Sequence, residues 1–499
     1  MSGVPSFLLL SRRQWGYTSA ASCALGGLVA FFSWDISPWI AVSTVVATVT
    51  AFHMSYAGHS ILALPHIAIL VAALQYVFAA WLSFHWPHPD PTYDIGPRLP
   101  VYLAFAGPAV CFTAAGWMLA ILKLPARRAD VGATSRRLLS ELDILILLGV
   151  LGVILGRVVE VQNVAFVFVL IGNLRFVGIF GRMLLKGEGW RWRLAAILGA
   201  EVLIAVGSTM FHTLILWIFW VFVIWLYSFR PRPKVVLLAV AVALVLLPAL
   251  QGAKWHLREA PMEDPVMEAE MTGVGETTLR RAIAWIGYFP EAILETITLR
   301  LDPDFIAAMA VRYNQGWIVD RVMLHVPDSE PHAYGETIKD AAAAALLPRV
   351  IAPNKAVAGG RENMLRFAGM ELNETTAMNL GYAGEMYANF GVVGGPIACG
   401  AYAFAFGLIF RFIAKRALLS PLWWALVPYL FFSVLKAEDD LANALNYTVK
   451  SAVVVAVICL CFPQIRDALF GRSQPPRRAS SRPLSVDDAT RPLVGTAEL

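Results

Sequence analysis

Basic, acidic and imidazole side chains are concentrated in one stretch of this chain, between positions 332 and 391. The stretch begins with His332 and the run Tyr-Gly-Glu-Thr at 334–337, and it ends with Gly-Glu-Met-Tyr-Ala-Asn-Phe-Gly at 384–391. Arginine binds phosphate groups through paired hydrogen bonds, and lysine binds them as a point charge. The stretch therefore predicts a site for a phosphate or pyrophosphate group, with four cations as its ligands: Arg349, Lys355, Arg361 and Arg366.

Alternatives remain open for these residues. Glu385 or His332 can accept the proton of a hydroxyl group as a general base. Glu385 can equally complement the dipole of a helix that begins near Phe390. The cations can instead contact anionic lipid headgroups or pair with the many nearby acids. Two aromatic residues and an amide, Tyr334, Tyr387 and Asn389, are suited to position a polar substrate by stacking and hydrogen bonding.

Long apolar runs must position these residues, because mean hydropathy is +0.62 and only 15% of residues are charged. About 20 apolar residues cross the hydrocarbon core. We therefore predict an all-α, polytopic membrane protein with about twelve spans. They lie at roughly 15–33, 38–56, 61–84, 100–122, 141–158, 164–185, 193–210, 211–228, 235–252, 390–413, 420–436 and 447–464.

Arginine and lysine are enriched in alternate loops, and cytoplasmic loops collect these cations. Both termini are therefore expected in the cytoplasm. The one long loop is expected outside, where 12 basic residues between Gly252 and Ala388 face 19 acidic ones. The basic excess elsewhere reflects topology and lipid contact, so we predict no nucleic-acid binding.

Four regions follow from this pattern. Residues 1–251 are predicted to form a bundle of nine spans, and residues 252–389 a large outer loop with short surface helices. Residues 390–470 are predicted to form the last three spans, and residues 471–499 a disordered cytoplasmic tail. Within the loop, an interrupted apolar stretch at 281–301 and helix-like spacing at 305–326 and 338–350 predict three short helices. The run Asp302-Pro-Asp304 is interpreted as a helix start with Asp caps.

Charged residues also occur within the spans, where ionisable groups are functional candidates by default. Arg175 is expected to face a polar cavity, and a structural pair with Glu201 is the alternative. Arg157 lies near the outer end of its span. The last outer loop, Lys436 to Asp440, is interpreted as a hydrated turn.

The motifs at 334–337, 348–355 and 384–391 resemble the pattern of bacterial oligosaccharide repeat-unit polymerases, the Wzy-type O-antigen polymerase group. The overall plan is similar too, with many spans and one large periplasmic loop late in the chain. This resemblance implies a metal-independent, GT-C-like glycosyltransferase of the bacterial inner membrane. Its activity would be the polymerisation of undecaprenyl-pyrophosphate-linked repeat units at the periplasmic face.

The resemblance also implies roles and partners. Arg349, Lys355, Arg361 and Arg366 would hold the pyrophosphate, Glu385 or His332 would take the acceptor proton, and Tyr334, Tyr387, Asn389 and Arg175 would contact the substrate. No cofactor or metal is expected. The expected partners are lipid-linked oligosaccharide, membrane lipids, a flippase and a chain-length regulator. An O-antigen ligase and a lipid-linked glycan flippase remain alternatives, and a flippase predicts charged residues distributed along the spans.

Overall fold

The computed structural model describes residues 12–57, 62–124, 135–159, 162–208, 211–259, 274–298, 300, 302–347, 360–373, 376 and 378–471. These residues form helices, turns and irregular segments, with no strand in the described ranges. The predicted all-α class is confirmed.

Eighteen helices are numbered here in chain order, within those ranges. They are α1 Arg12–Ser33, α2 Pro38–Ala57, α3 Leu64–His85, α4 Leu99–Ile121, α5 Arg136–Val158, α6 Gln162–Leu184, α7 Trp190–Ser208, α8 His212–Phe229, α9 Pro233–Glu259, α10 Val274–Thr298, α11 Pro303–Tyr313, α12 Gly316–His325, α13 Glu336–Leu346, α14 Arg361–Ala368, α15 Gly381–Ala417, α16 Leu422–Leu430, α17 Leu441–Cys461 and α18 Pro463–Leu469.

Nine of these described helices are long and apolar enough to cross a membrane, as in polytopic membrane proteins: α2 to α6, α8, α9, α15 and α17. This number is lower than the twelve expected. Helices form at two of the other predicted spans, but α1 is rich in small and hydroxylated residues, and α7 includes Arg191, Arg193 and Glu201. The predicted span at 420–436 is instead the nine-residue α16 followed by turns, and its side chains are almost all buried in the protein.

The core lies where α4 packs along α15, with α3, α12 and α16 around this pair. Its largest buried side chains are aromatic, including Phe105 and Trp117 on α4 and Phe406 on α15. Aromatic side chains bury large areas at low rotamer cost, so this packing holds α15 in place and fixes the position of the residues at its ends. We call the end of the bundle at which α9 ends and α15 begins the loop face.

A π-helical turn in α3, Leu74–Phe78, attaches the loop helices to the bundle. Such a turn shifts the helical hydrogen-bond pattern and leaves carbonyl groups available to other donors. The Gln75 carbonyl accepts from the Gln315 N–H at 3.0 Å, just before α12. The Tyr76 carbonyl accepts from the Tyr102 hydroxyl at 2.6 Å. The start of α12 is therefore bonded directly to a membrane helix.

The long loop is more buried than the sequence predicted. Helices form at the three predicted positions, but the second is divided into α11 and α12 by a turn at Asn314. Along α12, Trp317, Val319 and Val322 are buried, so this helix is part of the core and not a surface helix. The predicted helix start is confirmed, because Asp302 Oδ1 accepts from the Asp304 N–H at 2.8 Å.

Candidate functional site

Helix α15 is broken at Gly391, beside a group of side chains at the loop face that we call the polar cluster: His332, Thr337, Glu385 and Asn389. Gly391 has φ +66° and ψ −162°, a conformation essentially restricted to glycine. Carbonyl groups at the end of a helical segment need donors from elsewhere. The backbone N–H groups of Ala333 and Tyr334 donate to the carbonyls of Ala388 and Asn389 at 3.0 and 3.2 Å. The turn before α13 is thereby fixed against the first part of α15.

A buried hydrogen-bonded network joins three helices beside this turn. Asn389 Nδ2 donates to Thr337 Oγ1 at 2.8 Å, and Thr337 Oγ1 donates to Glu385 Oε1 at 2.7 Å. Glu385 Oε2 accepts from the backbone N–H of Leu441 at 2.7 Å. Asn389 Oδ1 accepts from the Gly335 N–H at 2.8 Å. The network therefore connects α13, α15 and the first residue of α17.

The carboxylate of Glu385 is closed to solvent, with 1% of the residue exposed. Each of its oxygens already accepts a hydrogen bond from the protein. A general base must reach the proton it removes at about 2.6–3.2 Å, directly or through one water. This geometry suits a residue that holds elements in place better than one that meets a substrate hydroxyl.

The loop before α17 contains two further buried acids, Asp439 and Asp440, and is therefore not the hydrated turn expected from the sequence. Asp440 is the N-cap of α17, and its Oδ1 accepts from the Asn443 N–H at 2.9 Å. Burial raises the pKa of Asp440 to about 6, although the Asn443 hydrogen bond acts in the opposite direction. An Asp directly before an apolar helical run is an N-cap signal that could have identified it.

His332 presents the open basic group of the cluster. Its Nδ1 lies 3.2 Å from the carbonyl oxygen of Ala388. Because a carbonyl oxygen only accepts, Nδ1 must bear the hydrogen, and Nε2 of the neutral ring is left as a proton acceptor. The ring lies between Tyr334 and Tyr387, at centroid distances of 6.1 and 6.0 Å. A methyl group on Gly391 would lie only 3.2 Å from Nε2, so the break at Gly391 also makes space for the ring.

Arg366, one of the four predicted phosphate ligands, pairs with acids that do not belong to this hydrogen-bonded network. Arg366 pairs with Glu330 at 2.5 Å and with Glu336 at 2.9 Å. These carboxylates raise the pKa of Arg366, and the hydrogen bond from Arg366 lowers the pKa of the exposed Glu336. A phosphate at Arg366 would have to share the guanidinium group with these two carboxylates. Arg361 is exposed at the start of α14, and two further cations, Arg349 and Lys355, lie outside the described residues.

Arg175 lies within α6, and its hydrogen bonds go to Glu201 on α7 and to the carbonyl of Gly172. Both side chains of the ion pair are buried. The structural pair considered as the alternative is therefore the arrangement observed. These contacts do not join Arg175 to the cluster of the loop face.

An apolar groove of about 560 Å³ begins beside the cluster, where α15 faces the first turns of α17, and continues along α15; we call it the α15–α17 groove. Its lining begins at Ile338 on α13 and Met386 on α15, and Leu441 and Leu445 of α17 line only this end. Along α15 it continues to Ile409. From Gly394 to Ile409, beyond the break at Gly391, the helix rises about 22 Å, against about 30 Å for a hydrocarbon core.

The described residues contain no group of three His, Cys, Asp or Glu side chains that could hold a metal ion. No family model, curated protein or solved structure matches this chain. The function must therefore be argued from the site itself.

Proposed function

We propose that this protein polymerises undecaprenyl-pyrophosphate-linked oligosaccharide repeat units at the periplasmic face of a bacterial inner membrane. The observation that best supports this proposal is the α15–α17 groove, which begins at the polar cluster and continues along α15 over much of the depth of a hydrocarbon core. A substrate that fits both parts has a long apolar chain and a polar, charged head. A lipid-linked glycan has these properties.

The lining of the groove suits the isoprenoid chain of such a substrate. The groove is lined by aliphatic and aromatic side chains, among them Ile397, Phe406 and Leu445. Burying apolar area contributes about 25 cal/mol per Å². An isoprenoid chain could bind there while its pyrophosphate stays at the loop face. The predicted GT-C-like architecture remains part of this proposal.

The reaction forms one glycosidic bond and breaks one glycosyl–phosphate bond. A hydroxyl oxygen of the acceptor sugar attacks the anomeric carbon of the donor glycan. The bonding electron pair leaves with undecaprenyl pyrophosphate, and the hydroxyl proton passes to a base. Between the two predicted bases, the geometry favours Nε2 of His332, because the oxygens of Glu385 are already bonded to Thr337 and Leu441.

Glu385, Thr337 and Asn389 then act as positioning residues. They hold the turn that bears His332 and Tyr334 against α15. Tyr334 is largely exposed and is suited to stack on a sugar ring. The four predicted cations, Arg349, Lys355, Arg361 and Arg366, would offset the charge that develops on the leaving pyrophosphate.

Purified protein in vesicles should extend lipid-linked repeat units into a polymer ladder. His332→Asn keeps a donor for the Ala388 carbonyl but removes Nε2, and it should slow polymerisation by about 100-fold or more. Normal turnover in this variant would exclude His332 as the base. No extension by the wild-type protein would refute the proposed reaction, and glycan transfer to another glycolipid without chain growth would assign a ligase.

A matched pair of variants tests the groove. Ala401→Trp fills the α15–α17 groove and should prevent polymerisation, because Ala401 lines the groove and is exposed within it. Phe404→Trp is the control, since Phe404 is exposed on the same helix but is not part of the lining. Equal activity of the two variants would show that the groove does not hold the substrate chain.

A further inference from the structure

A second groove, of about 640 Å³, lies between α5 and α7 with α6 behind it; we call it the α5–α7 groove. Apolar side chains form most of its lining. Charged side chains also line it, at three levels along the helices: Asp143 with Arg193, Arg175 with Glu201, and Arg157. The proposed polymerisation uses none of these levels.

The charged levels extend over much of the depth of a membrane. Asp143, Val150 and Arg157 are separated by seven residues each and share one face of α5. Fourteen helical residues extend about 21 Å, against about 30 Å for a hydrocarbon core. Arg157 is exposed at the end of α5 nearest the loop face. At the other end, Asp143 accepts from Arg182 at 2.6 Å and from Arg193 at 2.9 Å.

The middle level is the ion pair of Arg175 and Glu201. Glu201 lies eight residues after Arg193 on α7, about 12 Å further along the helix. A buried ion pair is weak support for stability, because well-packed apolar side chains of similar size often do as well or better. Both members of this pair line the α5–α7 groove beside exposed apolar side chains such as Leu147 and Ile154. An ionisable pair kept beside apolar surface is a functional candidate, and a polar group that moves along the groove is a partner that it fits.

Each of two successive levels of the groove has one positive and one negative side chain. This arrangement complements a headgroup that carries both a positive and a negative charge. A phosphate can exchange from Arg193 to Arg175 and then to Arg157, while an ammonium group passes Asp143 and Glu201. Such partners lower the cost of bringing a charged group to the bilayer centre. We propose that the α5–α7 groove conducts zwitterionic phospholipid headgroups between the two leaflets while the acyl chains remain in the bilayer. This activity is independent of the proposed polymerisation.

Scrambling is measured in phosphatidylcholine vesicles that contain purified protein and a trace of phosphatidylcholine with a fluorescent headgroup. Dithionite outside the vesicles bleaches only the probe in the outer leaflet. Wild-type protein should expose the inner-leaflet probe as well. The double variant Arg175→Leu with Glu201→Leu leaves no charge unpaired, so it should fold. It should slow bleaching of the inner-leaflet probe by about tenfold or more, or about 1.4 kcal/mol in the barrier.

A steric variant supplies a second test that leaves the ion pair untouched. Ala200 is exposed and lines the groove, so Ala200→Trp should block passage. Leu203→Trp is the control, because Leu203 is 76% exposed on the same helix but does not line the groove. The proposal is overturned if wild-type vesicles bleach like protein-free ones, if the two Trp variants are equally slow, or if the Leu double variant keeps the full rate.

Discussion

Replacing Glu385 by glutamine should lower stability slightly and leave polymerisation within several-fold of normal. Glutamine keeps the size of the side chain and one oxygen. That oxygen can accept from the Leu441 N–H, and the new amide group can donate to Thr337 Oγ1. The Thr337 hydroxyl hydrogen then loses its acceptor, because the amide group stands where the carboxylate oxygen accepted it. Oγ1 of Thr337 accepts from this amide and, as before, from Asn389.

The magnitude follows from counting the hydrogen bonds. One lost hydrogen bond corresponds to about 1 kcal/mol, or about a fivefold change in an equilibrium constant. Glu385→Ala is a harsher change, because it leaves the hydroxyl hydrogen of Thr337 without an acceptor and the Leu441 N–H without a partner, both in buried positions. Each unsatisfied group costs about 1–3 kcal/mol. The alanine variant should therefore lose about 2–6 kcal/mol and much of its folded population.

Thermal unfolding in detergent, together with the polymer assay, separates the roles of Glu385. Thr337→Val with Glu385→Gln completes a double-mutant cycle, and contacting residues typically couple by about 0.5–3 kcal/mol. Coupling in stability with little change in turnover is the expected result. A fall of about 100-fold in turnover at unchanged stability would refute this reasoning and make Glu385 the base.

Two further changes test the fold around the site, and a third tests the orientation of the protein in the membrane. Asp440→Asn keeps the N-cap oxygen but cannot ionise. Because the folded pKa is raised to about 6 from about 4 when unfolded, wild-type stability falls as pH rises between these values. The variant should therefore be more stable by about 1–3 kcal/mol above pH ~6, with no advantage below pH ~4, in unfolding measured across pH. Gly391→Ala should lower the free energy of unfolding by about 1–2 kcal/mol or more, through strain at positive φ and crowding of His332. Gly199→Ala is the control: its new methyl group meets open space, so it should be neutral or stabilising in the same measurement. In a variant without native cysteines, Ser329→Cys should react with a membrane-impermeant reagent in intact spheroplasts, and labelling only after the inner membrane is permeabilised would reverse the predicted orientation.

Hydropathy predicted most of the helices because spans are long and their apolar runs are continuous. It failed at 420–436, where the same apolar composition belongs to a short helix and turns buried among other helices. A run of apolar residues cannot distinguish lipid from protein as its surroundings. For the same reason, the burial of α12 was not visible in its amphipathic spacing, since its partners are distant in sequence.

The site was predictable in part. The motifs at 332–337 and 384–391, selected by residue type, are brought into contact by the structure through Thr337, Glu385 and Asn389. The partner of the second Glu385 oxygen is a backbone N–H at Leu441, and backbone donors have no side-chain signature. The engagement of Arg366 by two carboxylates depends on loop geometry, which residue types alone do not specify.

The bond from Leu441 to Glu385 has a consequence for biogenesis. Ribosomes deliver Glu385 to the membrane before residue 441 has been synthesised, so during that interval the carboxylate lacks one of its two partners. The network can close only when α17 enters the bilayer. Chains truncated before residue 441 should therefore retain most spans yet leave one oxygen of Glu385 without its donor, and quality-control proteases would meet them as incomplete proteins.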